Sequence, residues 1–167
     1  MTRVTMAVRN LLAQDTDLRA LLGSSQHWDT WIFDSKPYVR LENKSKALIV
    51  INEDGQWAQP NQYSTQRFPR LLIDVWADPT RNDDLSVKRD DAQDKIEAIT
   101  ALVNKHLHTV SLHIDGHPII WGTADEMANF TGLMVMGSSW LTGPTYSPVS
   151  DAQGAWMGRS AYALACA

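Results

Sequence analysis

The sequence predicts an α+β domain: a mixed or antiparallel β-sheet carrying one long helix at about 83–106, with a short helix pair at the N-terminus. Three observations carry that expectation. At 100° per residue, Leu85, Ala92, Ile96, Ile99, Val103 and Leu107 fall within an arc of roughly 80°, with Asp94, Ala101 and Lys105 opposite, the pattern of one amphipathic helix. RLLIDVWA (70–77) directly before it has the composition of a strand, and so does TVSLHIDGHPIIWG (109–122) directly after it. An apolar stripe has to be buried, and the flanking strands offer the surface.

Taken in order, Val4, Val8 and Leu11 or Leu12 recur at helical spacing. Asp15-Thr16-Asp17 then offers caps to a second short turn, Leu18 to Leu22, closed by Gly23 as the residue after the helix. HWDTWIF (27–33) and YVRL (38–41) read as strands around an Asp34-Ser35-Lys36-Pro37 turn, and the β-branched run in KALIVIN (46–52) reads as a central strand. From Glu53 to Arg67 the chain turns polar and holds four glutamines, too long a segment for a tight hairpin; loops beyond about 12 residues in a compact domain are functional or mobile. Trp57 and Tyr63 stand there among polar neighbours, as in an arm that orders against a partner, with a merely flexible loop as the alternative.

In RLLIDVWA, Leu71, Ile73 and Val75 take one face and Leu72, Asp74 and Trp76 the other, so both faces look covered and the strand central. Asp78-Pro79-Thr80 ends it. Asp83 and Asp84 suit the N-terminus of the long helix, and Asp91 lies four residues before Lys95 on its solvent face. Beyond the helix, Asp115-Gly116 marks a two-residue hairpin turn whose register sets Ile114 opposite His117 and His113 opposite Pro118. TGLMVMGSSW (131–140) follows, then a Gly, Pro and Ser-rich connection from Thr142 to Gly154. In the last segment Trp156, Tyr162, Leu164 and Cys166 share strand parity and Gly158 interrupts a helix, which favours a strand although the alanines permit a helix.

A chain of 167 residues is expected to be a single domain, 1–167, that buries a core without disulfides or structural metal; the lone Cys166 has no intrachain partner. A net charge of −4 argues against gripping nucleic acid, which takes clustered Lys and Arg. The N-terminus does not read as a secretory signal, and nowhere do about 18 apolar residues run together, so a soluble protein with no membrane partner is expected. Seven tryptophans are more than so short a chain needs, and Trp is enriched at protein interfaces, though it also fills cores.

No chemistry stands out. His106, His108, His113, Asp115 and His117 are close in sequence, but the hairpin register puts His113 and His117 on opposite sides, and His106 in the last helical turn is explained by the helix dipole. No Gly-x-Ser-x-Gly elbow or phosphate loop is present, and Asp90, Asp91 and Asp94 read as a solvated helix face. Lys36, Arg40, Lys44 and Lys46 form a local basic group, read as strand-edge protection or as a match for an acidic partner ring.

The order of elements resembles the tail terminator, or tail completion, proteins of long-tailed phages (siphophages). The matching features are the helix pair ending in Leu18-Arg19-Ala20-Leu21-Leu22-Gly23, the strand with Ile73-Asp74-Val75-Trp76-Ala77, the helix from Asp84 to His106, the Asp115-Gly116 turn, and Pro148-Val149-Ser150-Asp151, Gly154 and Gly158-Arg159 before an alternating terminal strand. The resemblance implies a catalytically silent virion protein without cofactor or metal. It would form a homo-oligomeric ring, typically a hexamer, at the head-proximal end of the tail, after synthesis in the host cytoplasm. Its partners would be the tail-tube protein and the head connector or stopper, with DNA passing through the lumen unbound. A cyclic ring needs two different patches per subunit; Trp28, Trp31 and Trp140, taken as exposed, and the arm residues Trp57 and Tyr63 are the candidates. The alternatives are a head–tail connector (neck adaptor) and, from another class, a small hydrolase or ligand-binding domain using the histidines with Asp125 or Glu126.

Overall fold

A computed structural model of the chain describes residues 3–23, 31–33, 47–56, 69–107, 113–114, 117–118, 135–149 and 154–166. Its elements are α1 (Arg3–Ala13), α2 (Thr16–Leu21), β1 (Ile32–Phe33), β2 (Ala47–Gln56), β3 (Pro69–Ala77), β4 (Thr80–Arg81), β5 (Val87–Arg89), α3 (Ala92–Leu107), β6 (His113–Ile114), β7 (His117–Pro118), β8 (Val135–Pro148) and β9 (Trp156–Cys166). Five strands form one sheet in the order β1-β2-β3-β9-β8. The β1–β2 pair is parallel and the other three pairs are antiparallel, so the sheet is mixed, as expected, with β3 at its centre.

The inward face of β3, Leu71, Ile73, Val75 and Ala77, is continued by Ala47, Ile49 and Ile51 on β2 and by Tyr162 and Leu164 on β9. Onto it α3 lays Ala92, Ile96, Ile99, Val103 and Leu107, the stripe foreseen from spacing. Two contacts fix the seat of the helix on β9. Near its start Gly158 passes so close that a Cβ there would stand 2.5 Å from Ile96 Cγ2. Near its end the Tyr162 hydroxyl donates to Asn104 Oδ1 at 3.1 Å, and burial pushes that phenol up to about 12. Since Gly158 precedes Tyr162 and Ile96 precedes Asn104, helix and strand run the same way.

The far face of β3 is half-covered at Leu72 and Trp76 and buried at Asp74, whose two oxygens accept from Arg159 on β9 at 2.6 and 2.7 Å. Leu48 and Val50 on β2 are buried on this same face.

The N-terminal pair forms as its spacing and caps require. Val4, Val8 and Leu12 are buried, and Arg9 Nε donates to the carbonyl of Ile32, tying α1 to β1. Asp15 caps α2 by accepting from the Leu18 amide at 2.9 Å, and Gly23, at φ 72°, closes the helix with its N–H on the Ala20 carbonyl.

Three expectations are corrected. The long helix starts at Ala92, not near Asp83; residues 80–89 form the β4–β5 hairpin instead. The acidic side chains expected to cap a helix bind their own turn. Asp84 Oδ1 accepts from the Ser86 amide and hydroxyl, and Asn82 pairs with Ser86 through backbone and side chain. Asp91 is not on the solvent face: it is 6% exposed and stands just before the helix, its carbonyl accepting from Lys95 N–H. The segment 142–148, read as connection, belongs to β8, where register shifts around Gly143 let the strand carry residues that cannot continue a regular ladder.

Two smaller points follow. The expected polar arm at 53–67 begins as strand, since β2 runs to Gln56; residues 57–67 lie outside the described set. On β6 and β7 the pairs are His113 with Pro118 and Ile114 with His117, the register expected from the Asp-Gly turn.

Candidate functional site

Among the described residues, buried or nearly buried carboxylates gather charged partners at three places. At the start of α3, Asp91 accepts from Thr80 N–H and Thr80 Oγ1, both at 2.7 Å, and from Arg89 Nε at 3.0 Å, with Lys95 Nζ at 3.4 Å. Lys95 also donates to the Asp78 carbonyl, and Arg81 forks onto both Asp78 oxygens at 2.8 Å. Burial by itself would raise the Asp91 carboxyl; the hydrogen bonds from Thr80 and Arg89 and the Lys95 charge outweigh it and hold that carboxyl well below the usual carboxylate range.

At the other end of α3, His106 Nε2 lies 2.6 Å from Asp15 Oδ2, so the residue that caps α2 also fastens the last turn of α3. Burial opposes ionisation of Asp15, and the hydrogen bonds from His106 and Leu18 prevail, leaving its pKa lowered. The third place is Asp74 with Arg159 on the far face of the sheet, where the carboxylate beside the guanidinium raises the arginine's pKa. Each of these acids is already bound by a cation or amide. They fasten elements together.

Among the described residues no three His, Cys, Asp or Glu side chains come together as metal ligands would. His108, Asp115, Asp125 and Glu126, and the basic group at Lys36, Arg40, Lys44 and Lys46, lie outside those residues.

The aromatic candidates separate. Trp31, taken as exposed, is half-buried: it packs against the core, its ring meets Phe33 edge-on with centroids 6.1 Å apart, and its carbonyl accepts from the Ile49 amide. Trp140 sits on β8 opposite Tyr162 in the ladder. Trp28, Trp57 and Tyr63 lie outside the described residues.

The exposed apolar surface that the structure does present was missed by sequence reasoning. Leu21, at the end of α2, is 42% exposed, and Leu85 in the β4–β5 turn is 50% exposed, with Val87 and Tyr146 at 36%. Leu85 fell into the helical arc by spacing alone. The signal that would have placed it in a turn is its setting, Asn82-Asp83-Asp84 before and Ser86 after, residues whose side chains bind the local backbone.

No protein-family model matches the chain, and no curated protein matches it in sequence. Solved structures do match in shape. One is a chain described as "Virion of native gene transfer agent (GTA) particle", with a TM-score of 0.61 and 13% identity, the match covering 98% of this chain and 93% of that one. At that identity the likeness is one of fold, and it spans the whole architecture described above.

Proposed function

We propose that this chain is a structural virion protein, a tail terminator that forms a ring, ends tail-tube polymerisation and joins the tail to the head connector or stopper. The observation that carries the reading is the fold shared, end to end, with a chain of a virion particle. A sheet-backed helix whose two ends are fastened through the buried carboxylates Asp91 and Asp15 suits a protein that works by shape. Its net charge of −4 would let DNA pass through a lumen without adhering. The ring would be a homo-oligomer, six-fold in the family it resembles, at the head-proximal end of the tail.

Negative-stain images of the purified protein, alone and mixed with tail tubes, test this. Closed rings that cap tube ends are expected. Rings that bind the portal and ignore tubes would make it a neck adaptor instead, and a strict monomer that turns over a small molecule would end the structural reading.

A further inference from the structure

We infer that Asp15 and His106 form a proton-operated latch, which holds α2 against the last turn of α3 while the imidazole is charged and lets α2 open locally, ahead of the rest of the domain, once it is neutral. The latch belongs to the subunit itself and stands whether or not the chain forms a ring.

Geometry fixes how the contact works. Asp15 Oδ1 accepts from the Leu18 amide at 2.9 Å, and Oδ2 lies 2.6 Å from His106 Nε2. An ionised carboxylate can only accept, so Nε2 is the donor and the proton that comes and goes is the one on Nδ1. With both protons the contact is an ion pair; with one it is a hydrogen bond from a neutral ring. Burial opposes ionisation of Asp15, and the hydrogen bonds from His106 and Leu18 together with the His106 charge prevail, so the acid stays ionised across the range in which histidines titrate. The His106 side chain is 25% exposed, which lets solvent protons reach it without unfolding. It also stands in the last turn of α3, whose free carbonyls favour a cation.

The other ionisable groups on the elements packed against α3 keep their charge over that range. Arg9 on α1 donates to the Ile32 carbonyl, and Arg3 opens that helix; Tyr162 on β9 donates to Asn104. Asp17 on α2 and Lys105 on α3 are exposed, and Arg19 on α2 is half-buried. On β3, Arg70 pairs with Asp54 and Asp74 with Arg159; on β8, Tyr146 stands near Glu97. None of these side-chain types changes charge between about pH 5 and 8, whereas histidine does.

The element that feels the change is α2. Six residues are too few to stay helical alone, and its hold on the core is Leu18 and Leu22. One carboxylate makes both its cap and its tether, so a weaker tether also frees the cap residue. Segments held by few buried contacts open before the rest. The sign is set by the cation: a charge that gains its partner on folding stabilises while protonated and loses that contribution as pH rises.

The test is native-state hydrogen exchange on the full chain, corrected for intrinsic rates at each pH. Between about pH 5.5 and 8, protection of the Arg19, Leu22 and Gly23 amides should fall about fivefold, the scale of a partly exposed ion pair at a helix end, while β3 amides keep theirs. His106→Gln, which retains a neutral donor, and Asp15→Asn, which retains a cap, should each abolish the fall. His108→Gln should leave it in place. A flat wild-type profile, a fall that survives His106→Gln or disappears in His108→Gln, or an equal fall on β3 would overturn the latch.

Discussion

Two aspartates each stand immediately before a helix, and the fold uses them differently. Asp15 turns its carboxylate onto its own helix, accepting from the Leu18 amide, and has one oxygen left for His106 at the far end of α3. Asp91 turns away from α3 and takes hold of the hairpin behind it, accepting from Thr80 twice and from Arg89. One is a cap with a tether; the other is a knot. The difference shows where this architecture keeps its rigidity: the start of α3 is braced by four groups around one buried carboxylate, and its last turn by two separate contacts, His106 on Asp15 and Tyr162 on Asn104.

The largest effect is expected at the knot. Asp91→Asn keeps the shape of the side chain but meets Arg89 and Lys95 without a charge, and should cost about 3 kcal/mol at pH 7 in chemical denaturation. Because the folded pKa of Asp91 lies below its ordinary 3.8, its contribution is fully present above that value and is lost as pH falls beneath it. The gap between wild type and variant should therefore be constant from pH 7 down to about 5 and close below pH 4. A gap that persisted undiminished in acid would mean that packing, not charge, holds Asp91.

A smaller loss belongs to the tether. Asp15→Ala removes the α2 cap and the bond to His106 together and should cost about 2 kcal/mol. Its folded pKa is also lowered, so the sign is the same: the contribution is present at neutral pH and lost in acid. His106→Ala, which removes the tether and spares the cap, should cost only about half as much. If the two variants proved equally destabilised, the cap would contribute nothing and the comparison of the two aspartates would fail.

How much of this was visible in the sequence depends on the range of each interaction. Whatever is written in local periodicity came through: Val4, Val8 and Leu12 on α1, the Asp15 cap and Gly23 stop of α2, the alternation of β3, and the strand parity of Trp156, Tyr162 and Leu164 on β9. The packed stripe of α3 was legible for the same reason. The partners of the buried charges were not. Asp74 and Arg159 are 85 residues apart and Asp15 and His106 are 91 apart, and nothing local in either sequence neighbourhood names the other. The candidate surface was obscured differently. Leu85 lies seven residues before Ala92, close to two helical turns, so a period of 3.6 places it in the same arc whether or not a helix is there. Acidic residues favour helix N-termini and tight turns alike, and here the turn won because Ser86 lay within reach of Asp84.

The smallest effect decides that ambiguity most directly. Were residue 85 inside a helix, Ala would be favoured over Gly there by about 1 kcal/mol, since glycine loses more backbone freedom on folding. At φ 67° the preference reverses: alanine keeps the left-handed strain, worth about 1 kcal/mol, and glycine does not. Leu85→Gly should therefore be more stable than Leu85→Ala by up to about 1 kcal/mol, and close to wild type, because the half-exposed leucine gives up little buried surface within the subunit. The measurement is a pair of denaturation curves below the concentration at which subunits associate, where only the turn is read. The opposite order would return residues 83–91 to the helix.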